Sequence, residues 1–264
     1  MLEVRNIFKT FNPGTINEKH ALNGISLTMN DGDFITVIGG NGAGKSTLLN
    51  AIAGAWSIDS GEIVIDGENI THLPEHKRAA YIGRVFQDPM MGTAATMQID
   101  ENMALAARRG KKRTLSSGIT KKERESYREQ LKVLDLGLED RLTAKVGLLS
   151  GGQRQALTLL MAVLNRPKLL LLDEHTAALD PKTAANVLAL SDRFISESKL
   201  TALMVTHNMK DAIAHGNRLI MMNAGKIILD ISGEDKKKLT VDDLLAEFTK
   251  ASGQEFASDR ALLS

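Results

Sequence analysis

Gly39 is followed by four residues and then by Gly44-Lys45-Ser46, so the run Gly39-Gly40-Asn41-Gly42-Ala43-Gly44-Lys45-Ser46-Thr47 fits the phosphate-loop pattern G-x-x-x-x-G-K-[ST]. Its residue types suit one kind of chemistry. Glycines let backbone N–H groups approach phosphate oxygens with no Cβ in the way. The Lys45 ammonium would reach the β- and γ-phosphates of a nucleotide, and the Ser46 hydroxyl would ligate Mg²⁺. Such a loop works only between a strand and a helix N-terminus, where N–H groups and the helix dipole favour an anion.

The flanking elements meet that need. Phe34-Ile35-Thr36-Val37-Ile38 is short, apolar and β-branched, so it reads as a buried strand. Residues 46–53 read as a helix. Before them, residues 2–11 and 21–29 read as strands, with a turn at Asn12-Pro13-Gly14-Thr15 and a hairpin-like turn at Asn30-Asp31-Gly32-Asp33. Residues 62–67 form a further short strand. These early strands suggest an antiparallel β layer beside the phosphate-loop core.

Residues 81–86 read as another buried strand. Residues 98–165 then lack β-branched runs and read as mostly helical, including a helix from Glu123 to Leu136. The Arg/Lys/Ser/Gly-rich stretch 108–122 reads as a loop. Strands at 169–173, 201–206 and 218–222 alternate with a helix at 181–197 and a short one after Asn208, which predicts a parallel sheet with right-handed crossovers. A last strand covers 225–230 and a short amphipathic helix 241–248. The tail from Ala251 is polar and expected to fray.

Composition excludes several classes. The 264 residues carry 33 basic and 32 acidic side chains and no cysteine. Neither a general nucleic-acid signal nor disulfide or thiolate chemistry is present, and a reducing compartment is expected. No apolar run approaches the length that spans a bilayer, and residues 1–5 lack a signal-peptide core. A soluble protein with at most a peripheral membrane role is expected.

At Leu149-Ser150-Gly151-Gly152-Gln153 a second glycine-rich loop heads a second helix, residues 153–164. This stretch and the phosphate loop resemble the ATP-binding subunit of ABC transporters, and the resemblance covers nearly the whole chain. It implies an α/β fold: a P-loop NTPase core with a mostly parallel sheet, an antiparallel β subdomain and an inserted helical subdomain. The implied division is one ATPase domain over 1–232, with a core lobe (1–88 and 166–232) and a helical subdomain (89–165), then a C-terminal helix and tail (233–264). The implied cofactors are ATP and Mg²⁺. Two subunits would pair head to tail as a homodimer or pseudo-dimer. Each ATP would lie between one phosphate loop and the partner's signature loop, with Ser150 and Gly152 acting in trans and Gly151 and Gln153 beside them.

The resemblance assigns further roles. Lys168-Leu169-Leu170-Leu171-Leu172-Asp173-Glu174 resembles the Walker B strand. Asp173 would hold Mg²⁺ and Glu174 would polarise the attacking water as general base. His207 resembles the switch histidine that contacts the γ-phosphate, and Asp180 the D-loop residue that links the two sites. Gln87 resembles the Q-loop glutamine, sensing Mg²⁺ and the γ-phosphate at the entrance to the helical subdomain. Thr47 would add a contact on the α-phosphate side. Phe11 aligns with the aromatic that stacks on adenine, with Phe8 as the alternative ring. His175 stands where the family usually has proline and would place a titratable group near the γ-phosphate.

Function by resemblance is the powering of a membrane permease from the cytoplasmic face. A coupling helix would dock around residues 87–102, where Met90, Met91 and Met97 offer either a pliable apolar contact or plain packing. The run Arg108-Arg109-Gly110-Lys111-Lys112-Arg113 reads as a solvated loop, with anionic lipid as the alternative. Motif variants around Phe11, Gln87 and Glu174 resemble importer subunits of tryptophan/tyrosine-type or related amino-acid uptake systems. Such a system would engage an extracytoplasmic solute-binding protein indirectly. The competing readings are an exporter ATPase and a soluble ABC ATPase with soluble partners. Nucleic acid is not expected as a partner.

Overall fold

The computed structural model describes residues 1–111 and 118–252. Its strands are β1 (Leu2–Phe11), β2 (Lys19–Met29), β3 (Phe34–Ile38), β4 (Ser60–Ile65), β5 (Glu68–Asn69), β6 (Ile82–Val85), β7 (Leu169–Asp173), β8 (Thr201–Val205), β9 (Arg218–Asn223) and β10 (Lys226–Ser232). They form two sheets. One is antiparallel in the order β2-β1-β4-β5, and the other runs β10-β9-β3-β8-β7-β6. Within the second, β9, β3, β8, β7 and β6 are parallel and β10 closes one edge antiparallel.

Patterning decides which strand joins which sheet. Strands β3 and β8 are buried at every position, as a strand covered on both faces must be. Strand β2 alternates along much of its length and covers only one side. The expected hairpin at Asn30–Asp33 is therefore a crossing between sheets. The turn forms, with Asp33 N–H donating to Asn30 O at 3.1 Å, but β2 and β3 do not pair.

The helices are α1 (Lys45–Ala53), α2 (Glu75–Arg78), α3 (Ile99–Ala107), α4 (Lys121–Lys132), α5 (Gly151–Val163), α6 (Pro181–Ser198), α7 (Met209–Ala214), α8 (Gly233–Lys238) and α9 (Val241–Ser252). Helix α1 is buried between the two sheets, where Leu48, Leu49 and Ile52 meet Val4, Ile63, Val37 and Leu171. Helices α3 to α6 cover the other face of the six-stranded sheet in a second core that includes Met103, Leu131, Leu157 and Phe194. A smaller core joins α7 and α9 to β9.

Helix boundaries follow caps. Helix α4 starts two residues before Glu123 because Thr120 and Glu123 form a capping box. It stops at Lys132, short of Leu136, and Asp135 takes a left-handed φ of 54°. Helix α8 has no counterpart in the expected pattern, and α9 runs on to Ser252. The rest of the polar tail, and Lys112 and Arg113 of the basic run, lie outside the described residues.

Candidate nucleotide-binding and hydrolysis site

The parallel sheet gathers the predicted residues at one edge. The phosphate loop follows β3, His207 follows β8, Asp173 ends β7 with Glu174 next, and Gln87 follows β6. These four strands are adjacent and parallel, in the order β3-β8-β7-β6, so all four chain segments leave the sheet on the same side. The crevice outside the carboxyl ends of parallel strands is where open α/β sheets bind ligands.

Backbone geometry at the phosphate loop requires glycine. Gly39 has φ 151°, and a Cβ there would lie 2.2 Å from the Met222 carbonyl oxygen. The loop then delivers Gly40, Asn41, Gly42, Ala43 and Gly44 to the start of α1, whose first N–H groups have no acidic side chain in the first turn to occupy them. Lys45 is buried, and its Nζ donates to Gly39 O at 2.7 Å and Gly40 O at 3.2 Å. The ammonium thus lies over the loop that would hold the phosphates. Ser46 is exposed at the first turn and Thr47 is half-buried beside it.

The far end of α1 is anchored as well. Arg78, 3% exposed, donates from Nη1 to Ala51 O (2.7 Å) and Ile52 O (2.9 Å). It also donates to Leu73 O and Thr71 O, at 2.8 and 2.7 Å. One guanidinium therefore serves C-terminal carbonyls of the loop helix, adding to the Gly54 N–H that also reaches Ala51 O at 3.3 Å.

Glu174 has φ 44°, a left-handed conformation uncommon for a residue with a long side chain. Its N–H donates to Val205 O at 3.0 Å, which docks the turn against the end of β8. The result is that Glu174 Oε2 stands 3.6 Å from His207 Nδ1. A carboxylate that can take a proton and an imidazole that can stabilise charge thus face the same space. Burial pushes the Asp173 carboxyl above its usual range, and the Arg84 guanidinium, 3.4 Å away, opposes that shift.

The signature residues lie apart from this edge. Ser150 caps α5 with Gln153 in a reciprocal capping box: Gln153 N–H donates to Ser150 Oγ, and Ser150 N–H to Gln153 Oε1. Gly151 opens the helix. Gly152 packs so close to α6 that a Cβ would lie 2.2 Å from Thr183 Cγ2. Ser150, Gly152 and Gln153 line a separate cleft of about 480 Å³ with Leu136 and Thr183. Asp180 caps α6, accepting from Thr183 N–H at 3.1 Å, and hydrogen bonding from the Thr183 side chain and then its N–H holds the carboxyl below the usual range.

Gln87 is exposed, and the segment before it is held by a residue that the motifs alone did not single out. Gln155 is fully buried on α5, and its Nε2 donates to Phe86 O at 3.1 Å, tying the signature helix to the Q-loop. A glutamine on the apolar face of a helix was the available signal. Phe11 meets Trp56 edge to face at 5.0 Å between centroids, whereas Phe8 packs back over Gly24.

His175 corrects an expectation. Its ring does not lie free near a γ-phosphate position. It is 2% exposed and faces α6, with Nε2 3.0 Å from Ser191 Oγ. Ser191 donates its one proton to Val187 O at 2.9 Å, so the imidazole must donate through Nε2–H. Burial, aided by nearby His215, pushes the ring down to about 4, so it is neutral at pH 7.

Residues 22–177 match the model of the ABC transporter family. The chain belongs to that family. It is an ATP-binding subunit with the ABC ATPase fold, and its activity is ATP hydrolysis. It is 44% identical over 252 residues to a tyrosine transport ATP-binding protein of Clostridioides difficile, covering 95% of this chain and all of the relative. A spermidine/putrescine import ATP-binding protein, PotA, of Haemophilus influenzae is 34% identical, covering all of this chain and 68% of the relative. The dimeric post-hydrolysis ATP-binding cassette MJ0796 bound to ADP and Pi superposes with a TM-score of 0.75 at 29% identity, over 88% of this chain and 98% of that one. The ADP conformation of the cassette MJ1267 gives 0.77 at 27% identity, over 95% and 98%. No helix of the described residues is long and apolar enough to cross a membrane.

The ABC ATPase edge also fits Mg²⁺. Its donors, the Ser46 hydroxyl and the Asp173 carboxylate, are hard oxygens. Among the described residues no group of three or more His, Cys, Asp or Glu forms an all-protein cage. Mg²⁺ is held in this sparse manner where phosphates complete its shell.

Proposed function

We propose that the chain is the ATP-hydrolysing subunit of an amino-acid importer, with aromatic amino acids as the favoured cargo. The import reading is supported by the likeness to the import protein PotA, and the aromatic cargo by the end-to-end match to the tyrosine transport protein. In this reading residues 1–232 are one ATPase domain, in lobes 1–88 with 166–232 and 89–165, and 233–264 is an appendage.

Nucleotide phosphates lie in the loop Gly39–Thr47, bound by its N–H groups and by Lys45. The adenine stacks on Phe11. Ser46, Gln87 and Asp173 would hold Mg²⁺, which when bound would neutralise phosphate charge. Glu174 orients and deprotonates the attacking water, and His207 stabilises charge on the γ-phosphoryl oxygens. A second copy supplies Ser150, Gly151, Gly152 and Gln153, a reading supported by the cleft that Ser150, Gly152 and Gln153 line without any phosphate-loop residue of their own chain. Asp180 links the two sites. ATP binding closes the pair and hydrolysis opens it.

The pair works on an integral-membrane permease at the cytoplasmic face of the cell membrane. The groove that includes Met91, Thr93, Leu105 and Arg109 has a volume of about 1290 Å³ and receives the permease. Met90 is partly engaged already, since its sulfur accepts from Arg154 Nη1 at 2.6 Å. An extracytoplasmic solute-binding protein delivers the cargo.

The test is affinity purification of the Glu174→Gln protein from detergent-solubilised membranes in the presence of ATP. A multi-span permease should co-purify, and the ATP-trapped pair should require Lys45 and Ser150. Transport of tyrosine or tryptophan by that permease then identifies the cargo. Recovery with soluble partners alone, or with an exporter, overturns the reading.

A further inference from the structure

Strand β6 carries a cation into the site that neither the phosphate loop nor the Walker B strand calls for. Arg84 is 13% exposed, and Asp173 beside it 14%. Arg84 Nη2 lies 2.9 Å from Asn50 Oδ1 on α1 and 3.4 Å from Asp173 Oδ2. The Asn50 amide nitrogen donates to Ser46 O at 2.8 Å, which fixes its oxygen as the acceptor for Arg84. The guanidinium carbon lies 4.4 Å from the centroid of Phe86, the residue before Gln87. Arg84 Nε is buried and has no hydrogen-bond partner, so the side chain is not seated for its own best bonding. One guanidinium thus touches Asp173 directly and the Ser46 turn through Asn50. Both are the residues to which Mg²⁺ is assigned above.

Two cations cannot share one half-buried carboxylate without cost. At an interior separation of a few ångströms their repulsion is large, because little water screens it. We propose that Arg84 is the resident counter-ion of Asp173 and competes with the divalent cation for that carboxylate, so that it sets the affinity of the site for metal. Metal entry moves the guanidinium off Oδ2 and leaves it on Asn50 and the Phe86 ring. The stacked ring and the amide are a ready second seat, since Arg is weakly hydrated and stacks on aromatic faces. Arg84 is a positioning residue in this scheme. It touches neither nucleotide nor reacting water.

The inference rests on the reading of Asp173 as a metal ligand, and the test separates the two. The quantity read is the ratio of dissociation constants for a non-hydrolysable ATP analogue, in EDTA and in Mg²⁺, measured by calorimetry on the full chain. That ratio reports how much the metal adds to nucleotide binding. Asp173→Asn should collapse the ratio towards unity, and if it does not, the metal assignment itself fails. Arg84→Gln should raise the ratio about fivefold or more, as expected when a unit charge beside the metal is removed at an effective dielectric of protein surfaces. Arg84→Lys keeps the charge and should stay near the parent. Arg84→Met, whose stem still packs on Phe86, replaces Arg84→Gln if thermal melting shows that variant unfolded. A collapsed ratio in Asp173→Asn with an unchanged or lowered ratio in the neutral Arg84 variants overturns the proposal and makes Arg84 a structural strut.

Discussion

Acidification should destabilise this protein through one buried ring. His175 titrates near its ordinary 6.5 in the unfolded chain and at about 4 in the folded one, because burial disfavours its charged form. Between those values the unfolded chain binds a proton that the folded chain refuses. Stability is therefore fully present above about pH 6.5 and is lost as pH falls towards 4. Integrating the difference from about pH 7 to about pH 5 gives a loss of roughly 2 kcal/mol from this ring alone. The perturbation is His175→Gln, which removes the titration and leaves the Ser191 hydroxyl bonded to Val187 O. Urea unfolding of both proteins in EDTA and without nucleotide, at the two pH values, isolates the term. Other titrating groups cancel in the difference between proteins. Wild type should lose about 2 kcal/mol more than the variant on going to the lower pH. Equal pH dependence in the two, or a steeper loss in the variant, would refute the burial argument.

Three further outcomes follow from the same geometry. Glu174→Gln should lower ATP turnover by about 10²–10⁴-fold while leaving nucleotide affinity near the parent, read by steady-state kinetics alongside calorimetry. Arg78→Met should cost about 3 kcal/mol by denaturant unfolding, because it strands the carbonyls of Ile52, Thr71 and Leu73, which one buried guanidinium serves; a loss under about 1 kcal/mol would show that water or a neighbour replaces it. Phe11→Ala should weaken nucleotide binding by about 1–3 kcal/mol with little change in maximal rate, whereas Phe8→Ala should not, which direct titration distinguishes.

Much of this is legible in the sequence, and for identifiable reasons. The phosphate loop announces itself because Gly39 can have no Cβ where Met222 O lies. The Walker B stretch is visible because a strand buried on both faces must be apolar until the residue that emerges, Asp173. Other features had no local signature. Sheet membership of β2 and β3 depends on burial on one side or two, not on the turn between them. His175 looked like a residue of the site because it follows Glu174 in sequence. The left-handed turn at Glu174 sends the two side chains in different directions, one to His207 and one to Ser191. Arg84 and Gln155 matter through partners 89 and 69 residues away, which no spacing within the chain foretells.

The edge-to-face contact between Phe11 and Trp56 has a practical consequence. Trp56 is the one tryptophan in the sequence. It is 40% exposed and its indole abuts the ring assigned to the adenine. Excited at wavelengths that the two tyrosines do not absorb, the intrinsic emission of the protein therefore originates at a single spot beside the base platform. A purified sample carries its own optical gauge of nucleotide arrival, usable in stopped flow without label or engineered probe. The same signal in intact complexes with a permease would be swamped by that partner's own indoles, unless they are replaced by phenylalanine.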